Sequence, residues 1–594
     1  MIFYNRGRRW LAFLLTFVVA IAFSACNPNN FKSQAAQTSQ LVISVLSDPQ
    51  TFNYALSQQL PNVFGLTFKG LTTINGKGEI EPELAQSWTI SPDKKRIEFT
   101  LRPGLKWSDG KPLTSDDVVF TYNDIAFNKE ISTDIRDYLK IGVSGALPQV
   151  QKINDRQVAF ILPEPFSPFF STTTGDSTSA IAILPKHALE ASVKAKDTEG
   201  NPRFMSTWGT DTDPKKIITN GPYTIESYSP SQRLVFRRNP NYWRKDKQGN
   251  PQPYIEKVIW QIVESTDTSL LQFRSGGLDI VGASPTNFSL LKKEEKRGKF
   301  TIYNGGLAYG QSFITFNLNK GKRNGKPLVD PIKSRWFNTL EFRQAVSYAI
   351  DRQTIINNIF RGLGEPQNSP IDVQSKYYLS PQDGLKTYDY NPEKAKEMLL
   401  KAGFKYNSKN QLLDADNNRV RFTLLTNSGG RTGEVMGAQI KQNLAKIGIQ
   451  VDLNAIAFTV LGEKLHNTLD WECYFGGLIG SGVDPNDGAN VWLTEGGLHS
   501  FNQGAQAGQA PIEGRVVSDW EQEIANLYIK GAQEFDEAKR KAIYDETQRI
   551  TQEYLPYIYL VNPLSMAAIR DRIDNVKFSA LGAFWNIYEL KVDK

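Results

Sequence analysis

Cysteine and histidine are almost missing from this chain. Its 594 residues hold two cysteines, Cys26 and Cys473, and three histidines, His187, His466 and His499. Two cysteines allow one internal disulfide at most, and none if Cys26 is modified. Cys473 sits in an apolar strand candidate and reads as an inert buried thiol. The histidines show no metal-ligand spacing. GxSxG, a phosphate loop and a dinucleotide fingerprint are also missing. Gly429-Gly430-Arg431-Thr432-Gly433 is glycine-rich but lacks the Lys-Ser/Thr pair of a phosphate loop. No enzyme class finds its usual signature here, and no cofactor or metal is expected. An exported hydrolase is the enzyme reading considered and set aside.

Long apolar runs are confined to the N-terminus. Arg6, Arg8 and Arg9 precede an apolar stretch, Leu11 to Phe23, that is too short to cross a hydrocarbon layer of ~20 residues and reads as a signal peptide over residues 1–25. Residues 26–40 are polar and low in complexity, a flexible tether. The net charge of +7 falls to +4 once the three leader arginines are removed. A charge of this size on so long a chain, without a dense Lys/Arg block, is no nucleic-acid footprint. The 569 residues that remain after 25 are cleaved from 594 are too many for one small core, so two lobes or more are expected.

What is present is a diagnostic stretch from Gly70 to Tyr122, GLTTINGKGEIEPELAQSWTISPDKKRIEFTLRPGLKWSDGKPLTSDDVVFTY. Ser87–Ile90 and Arg96–Leu101 are strand candidates separated by the turn Ser91-Pro92-Asp93. Arg102-Pro103-Gly104 and Ser108-Asp109-Gly110 break the chain again. Thr114, three residues before Asp117, predicts a capping box, and Val118, Val119, Tyr122, Ile125 and Ala126 follow at helical spacing. This order resembles the leading lobe of the large solute-binding proteins of bacterial ABC importers, the dipeptide-, oligopeptide- and nickel-binding family 5. Gly221-Pro222-Tyr223 through Arg238-Asn239-Pro240-Asn241-Tyr242-Trp243, Phe273 to Ile280, and Phe342 to Arg352 resemble further motifs of that family. Phe23-Ser24-Ala25-Cys26 resembles a lipobox, with Phe23 where an aliphatic residue is usual. Cys26 is then the lipidation site, and the mature protein would sit outside the cytoplasmic membrane on a lipid anchor.

The resemblance implies an α/β fold of two lobes, the type II periplasmic-binding-protein arrangement, with an extra subdomain in the first lobe and a hinge between lobes. The expected limits are 41–305 for the first lobe with its subdomain, 306–556 for the second, and 557–594 for the return to the first. Tyr557 to Val561 is expected to begin that return. Asn391-Pro392 to Gly403 carries every helix-terminus signal. Residues 421–479 read as a βαβαβ run, which implies a mostly parallel sheet with ligands at the strand carboxyl ends. Asn319 to Arg335 is a basic insertion of open role, and Asp279 reads as a turn or capping residue.

The same family resemblance implies the site. Gln58, Gln59 and Leu60 fall where relatives contact their ligand. Asn427, Arg431 and the loop from Gly480 to Asp487 lie at one cleft edge. Peptide binders hold the ligand ammonium with an aspartate in that loop. Here Ser481 takes its place, and a neutral hydroxyl cannot supply that charge-assisted bond. Asp484-Pro485 matches the closing residues of the motif, Asp487 could substitute, and Trp492 offers an aromatic face. The implied function is capture of a peptide, oligosaccharide or opine-like conjugate by a monomer. It would hand the solute to an ABC permease with its ATPase subunits, with a signalling receptor as the competing role.

Overall fold

Thr114 does what its spacing from Asp117 predicts. Its hydroxyl caps the helix Ser115–Val119, and the Asp117 carboxylate accepts from the Thr114 backbone N–H at 2.9 Å. The helix runs on as a wider turn, Phe120–Ala126, burying Phe120, Tyr122 and Ile125. The computed structural model describes residues 39–592 other than 57–60, 134, 143, 176–179, 429, 479–483, 507–508 and 583. The leader, Cys26 and most of the tether lie outside the described residues. Among those described, no helix is long and apolar enough to cross a membrane.

The first lobe holds two four-stranded sheets. In one, Gln40–Val45 runs parallel to Lys257–Ile262, which pairs antiparallel with Arg233–Arg238 and through it with Tyr223–Ser229. The other is antiparallel, ordered Ala85–Ile90, Arg96–Leu101, Gln157–Ile161, Gln149–Asn154, and forms the extra subdomain with the capped helix. Gly70 shows why the diagnostic stretch begins on glycine. A Cβ there would lie 2.0 Å from the Thr173 carbonyl oxygen and 2.8 Å from the Gly175 nitrogen, so the two backbones pack with no room for a side chain.

The second lobe is built on a five-stranded sheet, ordered Gln450–Ile456, Arg421–Asn427, Cys473–Leu478, Gln311–Phe316, Tyr557–Tyr559. The first three strands are parallel, as the βαβαβ reading requires. The other two enter antiparallel from distant parts of the chain, so the sheet is mixed. Helix Pro392–Lys401 is capped by the Asn391 side chain, with Pro392 in its first turn and Gly403 at φ +89° beyond its end. The insertion is ordered: a hairpin, Lys322–Arg323 with Lys326–Pro327, then helix Pro331–Asn338. Lys322 and Glu513 exchange backbone hydrogen bonds at 2.8 and 2.9 Å, which ties the hairpin to the loop after Gly504.

Each lobe has its own apolar core, one drawn mainly from Leu41–Trp260 and Ala567–Leu590, the other from Phe313–Val561. Two antiparallel strands join them. Phe300–Leu307 leads into Gln311–Phe316, and Val561–Arg570 pairs with it on the way back. Tyr557–Tyr559, expected to start the return, instead adds to the second-lobe sheet beside Gln311–Phe316; the chain leaves that sheet only with Val561–Arg570. Asp279 is also not a turn or cap. It accepts from the Val42 N–H at 2.7 Å and pairs with Arg572 at 2.7 Å, binding the first strand to the chain's end.

Candidate solute-binding site

The carboxyl end of the parallel strand Cys473–Leu478 meets the start of Gln311–Phe316, with Gln311 opposite Leu478. A cavity of about 120 Å³ opens there, lined by Gln311 at the start of its strand, Leu478 at the end of its strand, Tyr559, Asp372, and the segment from Asp484 to Trp492. Strand ends of this kind are where open α/β sheets bind ligands. Three of the expected residues, Asp484, Asp487 and Trp492, line this cavity.

Asp484 has its carboxylate occupied. Arg540, from helix Glu537–Tyr554, donates to both oxygens at 2.7 Å, the bidentate fork that suits a guanidinium. Arg540 also donates to the Gly531 carbonyl at 2.8 Å and to Tyr377 Oη at 2.9 Å. Asp484 Oδ1 accepts in addition from the Asn486 N–H at 2.9 Å, starting the short turn Pro485–Gly488. Its role is to fix the end of the loop, while the Arg540 fork absorbs its charge. Asp487 follows within that turn. Burial, and then the neighbouring Asp484 charge, push its carboxyl up to about 8. Trp492 is buried, stacked on Tyr528 at 6.1 Å and 22°, and edge-on to Tyr557 at 5.7 Å. It packs beneath the loop and shows only part of its surface to the cavity.

Asn427 ends its strand as expected, and its Oδ1 is buried without a hydrogen-bond partner among the described residues. Arg431 is the first residue of helix Arg431–Ala445. Its side chain, and Gln58, Gln59, Leu60, Gly480 and Ser481, lie outside the described residues.

Sequence reasoning missed four residues that shape the cavity: Gln311, Asp372, Tyr528 and Tyr559. Asp372 is 3% exposed, and burial pushes its carboxyl up to about 7. It lies in a segment with no motif, and no spacing rule would have found it. Tyr559 was expected only as part of a returning strand, not at a cavity.

His499 and His187 serve the frame. His499 is buried, its Nδ1 2.9 Å from the Val491 carbonyl and its Nε2 3.3 Å from Glu521, so it pins the segment that carries Trp492. His187 lies 2.9 Å from Asp109 in the extra subdomain. Among the described residues no cluster of three or more His, Cys, Asp or Glu could hold a metal ion. Cys473 is fully buried, and burial raises its thiol well above the usual range.

Comparison with known proteins agrees with this fold. Residues 79–500 match the family described as "Bacterial extracellular solute-binding proteins, family 5 Middle". A probable ABC transporter-binding protein of Deinococcus radiodurans is 31% identical over 555 residues, covering 89% of this chain and 87% of its own. The oligopeptide-binding protein AppA of Bacillus subtilis, solved with a nonapeptide, superimposes with TM-score 0.68 at 22% identity, covering 94% of this chain and 100% of its own. The periplasmic binding protein MelB of Agrobacterium fabrum, solved with stachyose, gives TM-score 0.71 at 21% identity, with 93% and 85% covered. On the extent of the family match and the identity to the Deinococcus relative, this chain belongs to the family 5 extracellular solute-binding proteins of bacterial ABC importers.

Proposed function

We propose that this protein captures a peptide-like solute between its two lobes, outside the cytoplasm, and delivers it unchanged to an ABC permease. The observation that carries the reading is the cavity at the carboxyl end of the parallel strand Cys473–Leu478, beside Gln311 where the chain enters the second-lobe sheet. Two antiparallel strands are a natural hinge, and closure about such a hinge is a standard way to enclose a ligand. The limits we propose for the moving parts are 41–305 with 560–594 against 306–559, since the strand Tyr557–Tyr559, expected in the return, pairs within the second-lobe sheet. Peptide is favoured by the oligopeptide-binding relatives. Oligosaccharide is the second reading, supported by the stachyose-bound neighbour and by the aromatic walls of the cavity. Mass spectrometry of small molecules that co-purify with the mature chain tests both: peptides support the first, sugars the second, and a phosphorylated or otherwise processed product would contradict capture without reaction.

We further propose that Cys26 carries the anchor. A lipid group of two or three chains holds a protein to a bilayer far more firmly than one acyl chain. Cys26→Ser should therefore move the protein from the membrane pellet to the supernatant in cell fractionation. Continued pelleting of the variant would refute lipidation.

A further inference from the structure

The lobes touch at a second place, away from the joining strands. Helix Asp519–Gln533 belongs to the second lobe, yet its last turn reaches the extra subdomain of the first. Ser167 Oγ donates to the Ala532 carbonyl at 3.2 Å, and Gln533 Nε2 donates to Glu164 Oε2 at 3.1 Å. Away from the joining strands, these are the side-chain hydrogen bonds that link the lobes among the described residues. Ala532 is 6% exposed and packs into the first-lobe core. Just beyond it, the Lys94 ammonium lies 5.9 Å over the Phe535 ring. The receiving surface is firm. The turn Ser167–Thr173 packs on the subdomain sheet, with Phe169 5.0 Å from Phe160 and Phe170 5.3 Å from Trp88.

The same helix also walls the solute cavity. Tyr528 lines that cavity and belongs to the second-lobe core. It precedes Ala532 by four residues, ~6 Å along the axis and on the same side of the helix. Arg540, which holds Asp484 at the cavity, donates to the Gly531 carbonyl in the last turn at 2.8 Å. Gly531 lets this turn press on helix Glu537–Tyr554, because a Cβ there would lie 2.8 Å from the Tyr544 ring. One rigid piece therefore carries both a cavity wall and the contact with the other lobe. The contact itself is small. Two hydrogen bonds that water can replace, one small apolar side chain and one cation over a ring hold it, and each is worth little. It can open without unfolding either lobe.

We propose that the last turn of helix Asp519–Gln533 is a latch, and that the extra subdomain is the pad it seats on when the lobes close. The inference rests on the closure reading above and gives the extra subdomain a part in it. A solute that steadies Tyr528 and Asp484 steadies the latch four residues on. Opening releases the latch and leaves the joining strands intact.

The test is chemical cross-linking with solution scattering on the mature chain carrying Cys26→Ser, Glu164→Cys and Gln533→Cys, stripped of bound molecules. Cys473 is fully buried and stays unreactive. A short bismaleimide should join the two new thiols, and the joined chain should have a smaller radius of gyration than the unjoined one. Ala532→Glu puts bulk and an unpaired charge where the latch seats, and should slow the joining ~10-fold or more. Ser167→Ala removes one hydrogen bond and should slow it about 2- to 10-fold. This milder change keeps the test standing if Ala532→Glu fails to fold. No joining, an unchanged rate in the variants, or equal radii before and after joining overturns the proposal. If the latch fails in any of these ways while a tryptic digest of casein or stachyose still contracts the chain without the added cysteines, closure stands without it. If neither probe contracts that chain and the joined and unjoined radii agree, closure falls as well.

Discussion

Arg540→Ala is expected to destabilise the second lobe by about 3–5 kcal/mol, because it strips a buried carboxylate of its only fork. The Arg540 side chain is 6% exposed and that of Asp484 11%, so neither charge can turn to water. The substitution also leaves Tyr377 Oη and the Gly531 carbonyl without their donor. Urea unfolding followed by tryptophan emission measures the loss. Arg540→Lys should recover part of it, since an ammonium keeps the charge but not the two parallel bonds. A loss under ~1 kcal/mol, the scale of an exposed pair, would show that Asp484 does not depend on Arg540. The consequence for binding is direct, because Asp484 lines the cavity.

Glu83→Gln is the counterpart in the first lobe, and a loss of about 3–5 kcal/mol is expected there too. Glu83 is 1% exposed. It accepts from Tyr242 Oη at 2.9 Å and Trp243 Nε1 at 3.2 Å, and it pairs with Arg244. The Arg244 guanidinium, which burial pulls down but the Glu83 charge and neighbouring tyrosines raise on balance, also lies 4.0 Å over the Tyr588 ring. The Arg102 guanidinium lies 3.8 Å over Trp243. A neutral amide in place of the Glu83 carboxylate would leave Arg244 without its counter-charge. This cluster explains why Asn239-Pro240-Asn241-Tyr242-Trp243 reads as a fixed motif: its aromatic end satisfies one buried carboxylate, and Arg244 next to it holds Tyr588 of the C-terminal segment. Differential scanning calorimetry should show the first-lobe transition move down while the second stays in place. A shift of both together would mean the lobes unfold as one unit.

Local signals carried most of the fold. Thr114 with Asp117, and Asn391 with Pro392 and Gly403, announce helix ends because the chemistry lies within a few residues. The βαβαβ run is legible for the same reason, and its three strands are indeed parallel. The mixed character of the sheet was not legible. Gln311–Phe316 and Tyr557–Tyr559 join it from more than 100 residues away on one side and about 80 on the other, and no period in either strand names its partner.

The site divides along the same line. Asp484, Asp487 and Trp492 are readable because one short loop brings them together. Asp372 and Arg540 act across separations of 62 residues to Gly310 and 56 to Asp484, and their neighbours in sequence say nothing of it. Asp279 was misread for the same reason: beside a Gly-Gly pair it looks like turn chemistry, but its partners are Val42 and Arg572. The first-lobe residues expected to contact the ligand, Gln58 to Leu60, and the loop around Ser481 fall outside the described residues.

The central claim is that two lobes close on a diffusible solute and let it go unaltered. Small-angle X-ray scattering on the mature chain tests this most directly, with the chain stripped of bound molecules and then reloaded with the solute identified by mass spectrometry. A smaller radius of gyration on loading, reversed on removal, with the solute recovered at its original mass, is the expected result. An unchanged radius at saturating solute, or a solute recovered cleaved, would contradict it.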